Sequence, residues 1–218
     1  MGGLQIGEAI AAIGALGTAA FGLVDALKAL WGGPSRFGFG YISDTLKPFA
    51  SGFTIISADM FFATLRANWI NGVAGDDQKA KAKALIHLEL TATGAAGLAA
   101  ATGVNPAALT AAAQKIDSGA ALSPNDISIV GRFDAVVSAK LDCAYEQADQ
   151  AYRNATKLLA GLLAVILSVS ANASLGDDRI NWWLAILIGL IATPLAPIVK
   201  DLTSSLAAAK TALSVAKK

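Results

Sequence analysis

The sequence predicts an all-α integral membrane protein, and three observations carry that reading. Leu158–Gly176 runs 19 residues without a charge, Ile180–Val199 runs another 20, and only Asp177, Asp178 and Arg179 separate them. A helix needs about 20 mainly apolar residues to cross the ~30 Å hydrocarbon core. Inside lipid every backbone N–H and C=O must find a partner within the protein, so each run reads as a helix and the pair as a transmembrane hairpin. Trp182 and Trp183 open the second run, where indole rings favour the headgroup layer. Third, 55% of the chain is hydrophobic and 15% charged, against about a quarter charged in ordinary soluble domains. The rival is a buried helical pair inside a large soluble core, which two near-threshold runs joined by a charged tight turn disfavour.

The 218 residues then divide into five stretches: 1–31, an N-terminal small-residue membrane helix; 32–75, an aromatic connector and interfacial helix; 76–157, a helical cytoplasmic region; 158–199, the hairpin; and 200–218, an amphipathic C-terminal helix. A net charge of +1 gives no electrostatic case for nucleic acid. Cys143 is the sole cysteine, which rules out an intrachain disulfide and leaves it as a small apolar residue. The first 27 residues contain no Lys or Arg, so no cleavable signal peptide is expected. Ile6 stands where a myristoylation motif needs Ser or Thr.

Ala9–Val24 is an uncharged run of 16 residues. Small residues at Gly7, Ala11, Gly14, Ala15, Thr18 and Gly22 recur at helical spacing, which lets another backbone approach closely. Gly14, Ala15, Thr18 and Gly22 are therefore the candidate helix-packing residues. Gly32-Gly33-Pro34 stops this helix. The following Arg36-Phe-Gly-Phe-Gly-Tyr41 has neither the preceding strand nor the third glycine of a phosphate loop, so it reads as a flexible, aromatic-studded connector.

Phe49–Trp69 places Phe53, Ile56, Met60 and Ala67 on one helical face. Asp59 and Arg66, seven apart, share another face and are positioned to pair. They are candidate intramembrane or interfacial charges, and the interfacial placement is preferred because a lysine cluster follows. Asp76–Gly103 reads as a helix whose Lys79, Lys81 and Lys83 face either solvent or anionic headgroups. His87, the only histidine, reads as a packing or surface residue.

Asn105-Pro106 starts a short helix, Gly119 ends it, and Ser123-Pro124 starts the next. From there helix formers continue to about Leu175, giving one helix of about 50 residues that runs from the cytoplasmic region into the bilayer. Phe133, Val137, Leu141, Ala144, Ala148 and Tyr152 form an apolar stripe on it, and Asp142, Glu146, Asp149 and Arg153 a polar one. The apolar stripe needs a partner, either the short helices before it or a neighbouring subunit. Pro194 and Pro197 mark a kink in the second hairpin helix. Leu202, Leu206 and Leu213 with Lys210, Lys217 and Lys218 suggest an amphipathic tail. The sequons at Asn154 and Asn172 carry little weight, because the second lies inside a span.

Arg153 and Lys157 before the hairpin and Lys200 and Lys210 after it outnumber the loop's single Arg179. Both hairpin ends and the middle region are therefore expected in the cytoplasm, at a bacterial inner membrane. No metal-ligand spacing, nucleophile elbow or P-loop appears. A non-enzymatic, self-associating membrane protein without cofactor or metal is expected, forming an oligomeric pore or a scaffold with lipid and other copies as its partners. An accessory subunit of a larger membrane complex is the alternative. A transporter or membrane enzyme using Asp59, Arg66 or His87 ranks below both.

Overall fold

A computed structural model describes the backbone of residues 6–176 and 179–216, and the side chains of 9–27, 32–176, 179–198 and 201. Eight α-helices follow in order, and no strand occurs among the described residues. They are α1 (Ile6–Trp31), α2 (Ser35–Ala50), α3 (Ala58–Ile70), α4 (Gly75–Leu88), α5 (Ala95–Thr102), α6 (Pro106–Ser118), α7 (Pro124–Ser174) and α8 (Trp182–Ala216). The chain divides into two compact units. Unit 1 comprises Met1–Pro34 and Arg153–Lys218, and unit 2 comprises Ser35–Tyr152. Asp177, Asp178, Lys217 and Lys218, the surroundings of Gly7, and the side chains of Lys200, Leu202, Leu206, Lys210 and Leu213 lie outside the described residues.

In unit 2 the starts of α6 and α7 follow local chemistry. Asn105 Oδ1 accepts from the Ala108 N–H at 3.0 Å and Pro106 takes the first helical position. Gly119 ends α6 at φ 69°, a left-handed conformation that costs glycine nothing. At the head of α7, Ser123 Oγ accepts from the Asp126 N–H at 3.3 Å, and Asp126 accepts from the Ser123 N–H at 2.7 Å. This is a reciprocal capping box. Lys115 and both Ser123 groups donate to the Asp126 carboxylate and hold it at about 2.

α7 is continuous for 51 residues. Its apolar stripe is buried at Phe133, Val137, Leu141, Ala144 and Ala148. The partners are the preceding helices of the same chain: Ile42, Leu46 and Phe49 of α2, Phe61 and Leu65 of α3, Ile86 of α4, Leu98 of α5 and Leu109 of α6 join one core with it. Leu141→Ala should cost about 2–5 kcal/mol by opening a cavity in that core. Asp142→Ala, which loses one exposed ion pair to Lys79, should stay within about 0.5 kcal/mol. Thermal unfolding of the two variants checks the contrast, and equal losses would mean that this stripe is not a packing face.

Four expectations for this region are corrected. Residues 35–50 are not a flexible connector but helix α2. A Cβ on Gly38 would come within 2.5 Å of Ala148 O and of the Trp69 ring, so this glycine serves close helix packing. Phe49–Trp69 is not one helix: residues 51–57 are non-helical, and α3 starts with Ser57 Oγ accepting from the Met60 N–H. Phe61 and Leu65 face the core, while Met60 and Ala67 are exposed. Asp76–Gly103 likewise breaks, at residues 89–94. Lys79 and Lys83 reach across to α7 rather than outward, bonding Asp142 at 2.9 Å and Asp134 at 2.8 Å. Hydrogen bonds from Lys79 to Asp142 and Asp76 hold its ammonium proton well above the usual lysine range.

Unit 1 packs differently. Ser168 Oγ donates to Ala185 O at 2.7 Å, and Asn172 exchanges two hydrogen bonds with the Ile180 backbone, at 2.9 and 3.1 Å. A Cβ on Gly189 would lie 2.5 Å from Val165 Cα. These pairs run in opposite senses along the two helices, so the end of α7 and the start of α8 are antiparallel. Ala20, Ala164 and Ala192 bring α1 into the same cluster. By length and apolar composition, Ala9–Leu27 and α7 are each able to cross a membrane, and Trp182–Ile198 is a shorter apolar helix.

Candidate functional site

Among the described residues, one place in each unit holds an arrangement of side chains that folding alone does not explain. In unit 1 it is the distribution of size. Among the described residues Val24 is the largest fully buried side chain there, and the other buried positions are Gly14, Gly17, Ala20, Gly33, Pro34, Ala160, Ala164, Ser168, Asn172, Ala185, Gly189, Ala192 and Ala196. Unit 2, by contrast, fully buries Phe49, Phe61, Phe133 and seven Leu or Ile side chains, among them Ile86 of α4 and Leu141 of the α7 stripe. Many large apolar residues of unit 1 point outward: Leu158 is 76% exposed and Trp183 78%, with Leu162, Ile166, Leu187, Leu190 and Ile198 also exposed, while Ile13, Leu16, Leu163 and Leu167 are partly buried against the small-residue cluster.

The expected packing residues of α1 divide on this surface. Gly14 is buried and its carbonyl accepts from Thr18 Oγ1 at 3.0 Å. Ala15, Thr18 and Gly22 are exposed, and a Cβ on Gly22 would meet nothing within 4 Å. Inside the chain the contact runs instead through Gly17, Ala20 and Val24; a Cβ on Gly17 would collide with the Ala192 carbonyl. A helix this rich in small residues offers two smooth faces, and neighbours decide which is used. Pro194 and Pro197 are exposed, and α8 continues through both.

In unit 2 the second place is a cleft between α2 and α3. Arg36 lies in the first turn of α2 and Arg66 in the third turn of α3, and both line the cleft with Ser35, Phe39 and Ile70; an adjoining depression that shares Phe39, Arg66 and Ile70 adds Phe62. Trp69 fixes the junction, its Nε1–H donating to Ser35 O at 2.6 Å while its ring meets Tyr145 and Tyr152 edge-on at 6.3 Å. Asp59, the expected partner of Arg66, is exposed in the first turn of α3, where its charge suits the positive helix end. No ion pair joins the two among the described residues. Sequence reasoning singled out Arg66 and missed Arg36, whose setting among aromatics and glycines gave it the look of a linker residue.

Glu89 is fully buried between helices α4 and α5 and accepts from the Thr54, Ile55 and Ile56 N–H groups at 2.5, 3.0 and 2.7 Å. Burial pushes its carboxyl up, but those bonds together outweigh burial and hold it below the usual glutamate range. His87 Nε2 lies 3.0 Å from Asp134 without hydrogen-bond alignment, and its ring tilts against Phe133. Burial pushes the Tyr145 hydroxyl up to about 12. Cys143 is free and exposed. No group of three or more His, Cys, Asp or Glu side chains able to hold a metal ion occurs among the described residues. No family model matches the chain, and neither a curated protein nor a solved structure matches it.

Proposed function

We propose that this chain is a non-enzymatic, self-associating membrane protein in which unit 1 is embedded in the bilayer and carries unit 2 at its surface as a scaffold. The observation that supports this reading is the inverted packing of unit 1. In water, a helical bundle gains by burying Leu and Ile and loses by exposing them, at about 25 cal/mol per Å². Within lipid that drive vanishes, close backbone approach through Gly and Ala holds helices together, and large apolar side chains face the acyl tails. Ser168 and Asn172, both buried and both bonded to backbone, fit the same solvent, in which polar groups must be satisfied internally.

On this reading the end of α7 and the start of α8 are the transmembrane hairpin, and α1 is a third span. The excess of Lys and Arg at Arg153, Lys157 and Lys200 over the lone Arg179 favours unit 2 and the C-terminal stretch in the cytoplasm. Cys143 reports on that orientation: an impermeant maleimide should label it only after cells are opened, and labelling in intact cells would reverse the topology. The close contact of Ala20, Ala164 and Ala192 holds the helices of one copy together, which suits a scaffold, and a pore would be formed between copies. The outward small residues Ala15, Thr18 and Gly22 give a neighbouring helix room to approach. Mass measurement in native lipid particles tests self-association. A multiple of the chain mass supports it, whereas a complex with unlike chains would make this an accessory subunit instead.

A further inference from the structure

The cleft between α2 and α3 brings together two positive charges that no group among the described residues neutralises. Neither Arg36 nor Arg66 has an ion-pair or hydrogen-bond partner among the described residues, and both are exposed. We propose that this cleft binds the headgroup of an anionic phospholipid. A guanidinium presents a planar fork of donors that matches phosphate oxygens two at a time, and two of them from different helices define a site for one phosphodiester. The first turn of α2 carries no acidic residue to compete. The rest of the cleft with its adjoining depression is apolar, lined by Phe39, Phe62 and Ile70, and suits the glycerol backbone and the first methylenes of an acyl chain. Free inorganic phosphate shares the oxyanion chemistry but gains nothing from that apolar half.

The covalent chain supplies the second argument, which rests on unit 1 being embedded in the bilayer. α1 ends at Trp31 and α2 opens at Ser35, so Arg36 is tethered within about 18 Å of the end of α1 even if the link is fully extended. The headgroup and interfacial region adds roughly 5–7 Å on each side of the hydrocarbon core. A tether of this length lets Arg36 reach the lipid phosphates.

The test uses the full-length protein in detergent, titrated with phosphatidylglycerol or phosphatidylcholine and read by native mass spectrometry. Wild type should retain phosphatidylglycerol in preference by roughly tenfold to thirtyfold, as expected of two cations acting near an anionic surface. The double variant Arg36→Gln/Arg66→Gln should lose the preference, and Arg36→Lys/Arg66→Lys should keep part of it, since charge remains while the bidentate fork is lost. Both residues are exposed, so neither variant removes core packing, and an unchanged melting temperature in phosphatidylcholine verifies this. No preference in wild type, or the same preference in the glutamine variant, overturns the proposal. Displacement of the lipid by inorganic phosphate alone would overturn it in favour of a free-oxyanion site. Carbonate extraction separates the two readings: release of the chain from membranes defeats the embedded unit, whereas a retained chain without lipid preference defeats only this site.

Discussion

Gly189→Leu should prevent the α7–α8 contact from forming, and Gly189→Ala should already lower stability by about 1–3 kcal/mol. A Cβ at position 189 lies 2.5 Å from Val165 Cα, 2.8 Å from Val165 N and 2.9 Å from Ala164 O. All three are backbone atoms, which cannot rotate away as a side chain would, so the helices must separate. Separation forfeits the dispersion contacts of Ala164, Ser168, Ala185 and Ala192 together with the Ser168–Ala185 hydrogen bond. Gly17→Leu should act the same way from α1, against the Ala192 carbonyl. Gly22→Ala is the control: nothing lies within 4 Å of its Cβ, so the helix-propensity gain of up to about 1 kcal/mol is all that remains. Thermal unfolding in detergent reads the series. Equal melting temperatures for Gly189→Ala and wild type would show that these helices do not touch as described.

Glu89→Ala should cost about 2–4 kcal/mol, chiefly because three backbone N–H groups lose their acceptor. The loop 51–57 crosses no helix or sheet ladder that could replace it; the two oxygens of Glu89 serve Thr54, Ile55 and Ile56 together. Glu89→Gln should fall between, since an amide offers one acceptor oxygen and turns two donors toward donors. The pH dependence follows from the direction of the shift. The folded carboxyl sits below its unfolded value, so its contribution is fully present above the unfolded glutamate range near 4.5 and is lost as pH falls through the folded value. Asp126, held at about 2, contributes in the same sense between its unfolded value of 3.8 and that point. Acid should therefore destabilise wild type more than Glu89→Gln, and melting curves recorded from neutral to acid pH check it; parallel curves would mean that Glu89 is not ionised in the fold.

The elements that were legible in the sequence are those written in neighbouring residues. Asn105-Pro106 and Ser123-Pro124 announce helix starts because a cap and its proline are adjacent in the chain, and both function as read. The stripe from Phe133 to Ala148 and the length of α7 were equally local, since unbroken helix formers and a repeating apolar face need no distant partner. The breaks at 51–57 and 89–94 were illegible for the opposite reason. Glu89 satisfies amides 33 to 35 residues away, and nothing near either segment says so. Gly38 misled because flexibility and close approach leave the same letter; its neighbour is Ala148 on α7. On α1 the small residues form two faces, and composition cannot choose between Gly22 and Gly17. The arginine cleft needed the packing of α3 against α2 before Arg36 and Arg66 shared a surface.

Water access to the outward side chains of unit 1 tests the embedded reading most directly. Single cysteines at Leu162 and Leu187, both exposed on the surface of unit 1, are placed in a Cys143→Ser background and probed in native membranes. A water-soluble maleimide should leave both unlabelled, while a nitroxide dissolved in the acyl layer should quench a fluorophore attached at either position. Rapid aqueous labelling at both sites, without quenching from the lipid, would contradict the account: Leu162 and Leu187 would then face water, and the inverted packing of unit 1 would need another cause.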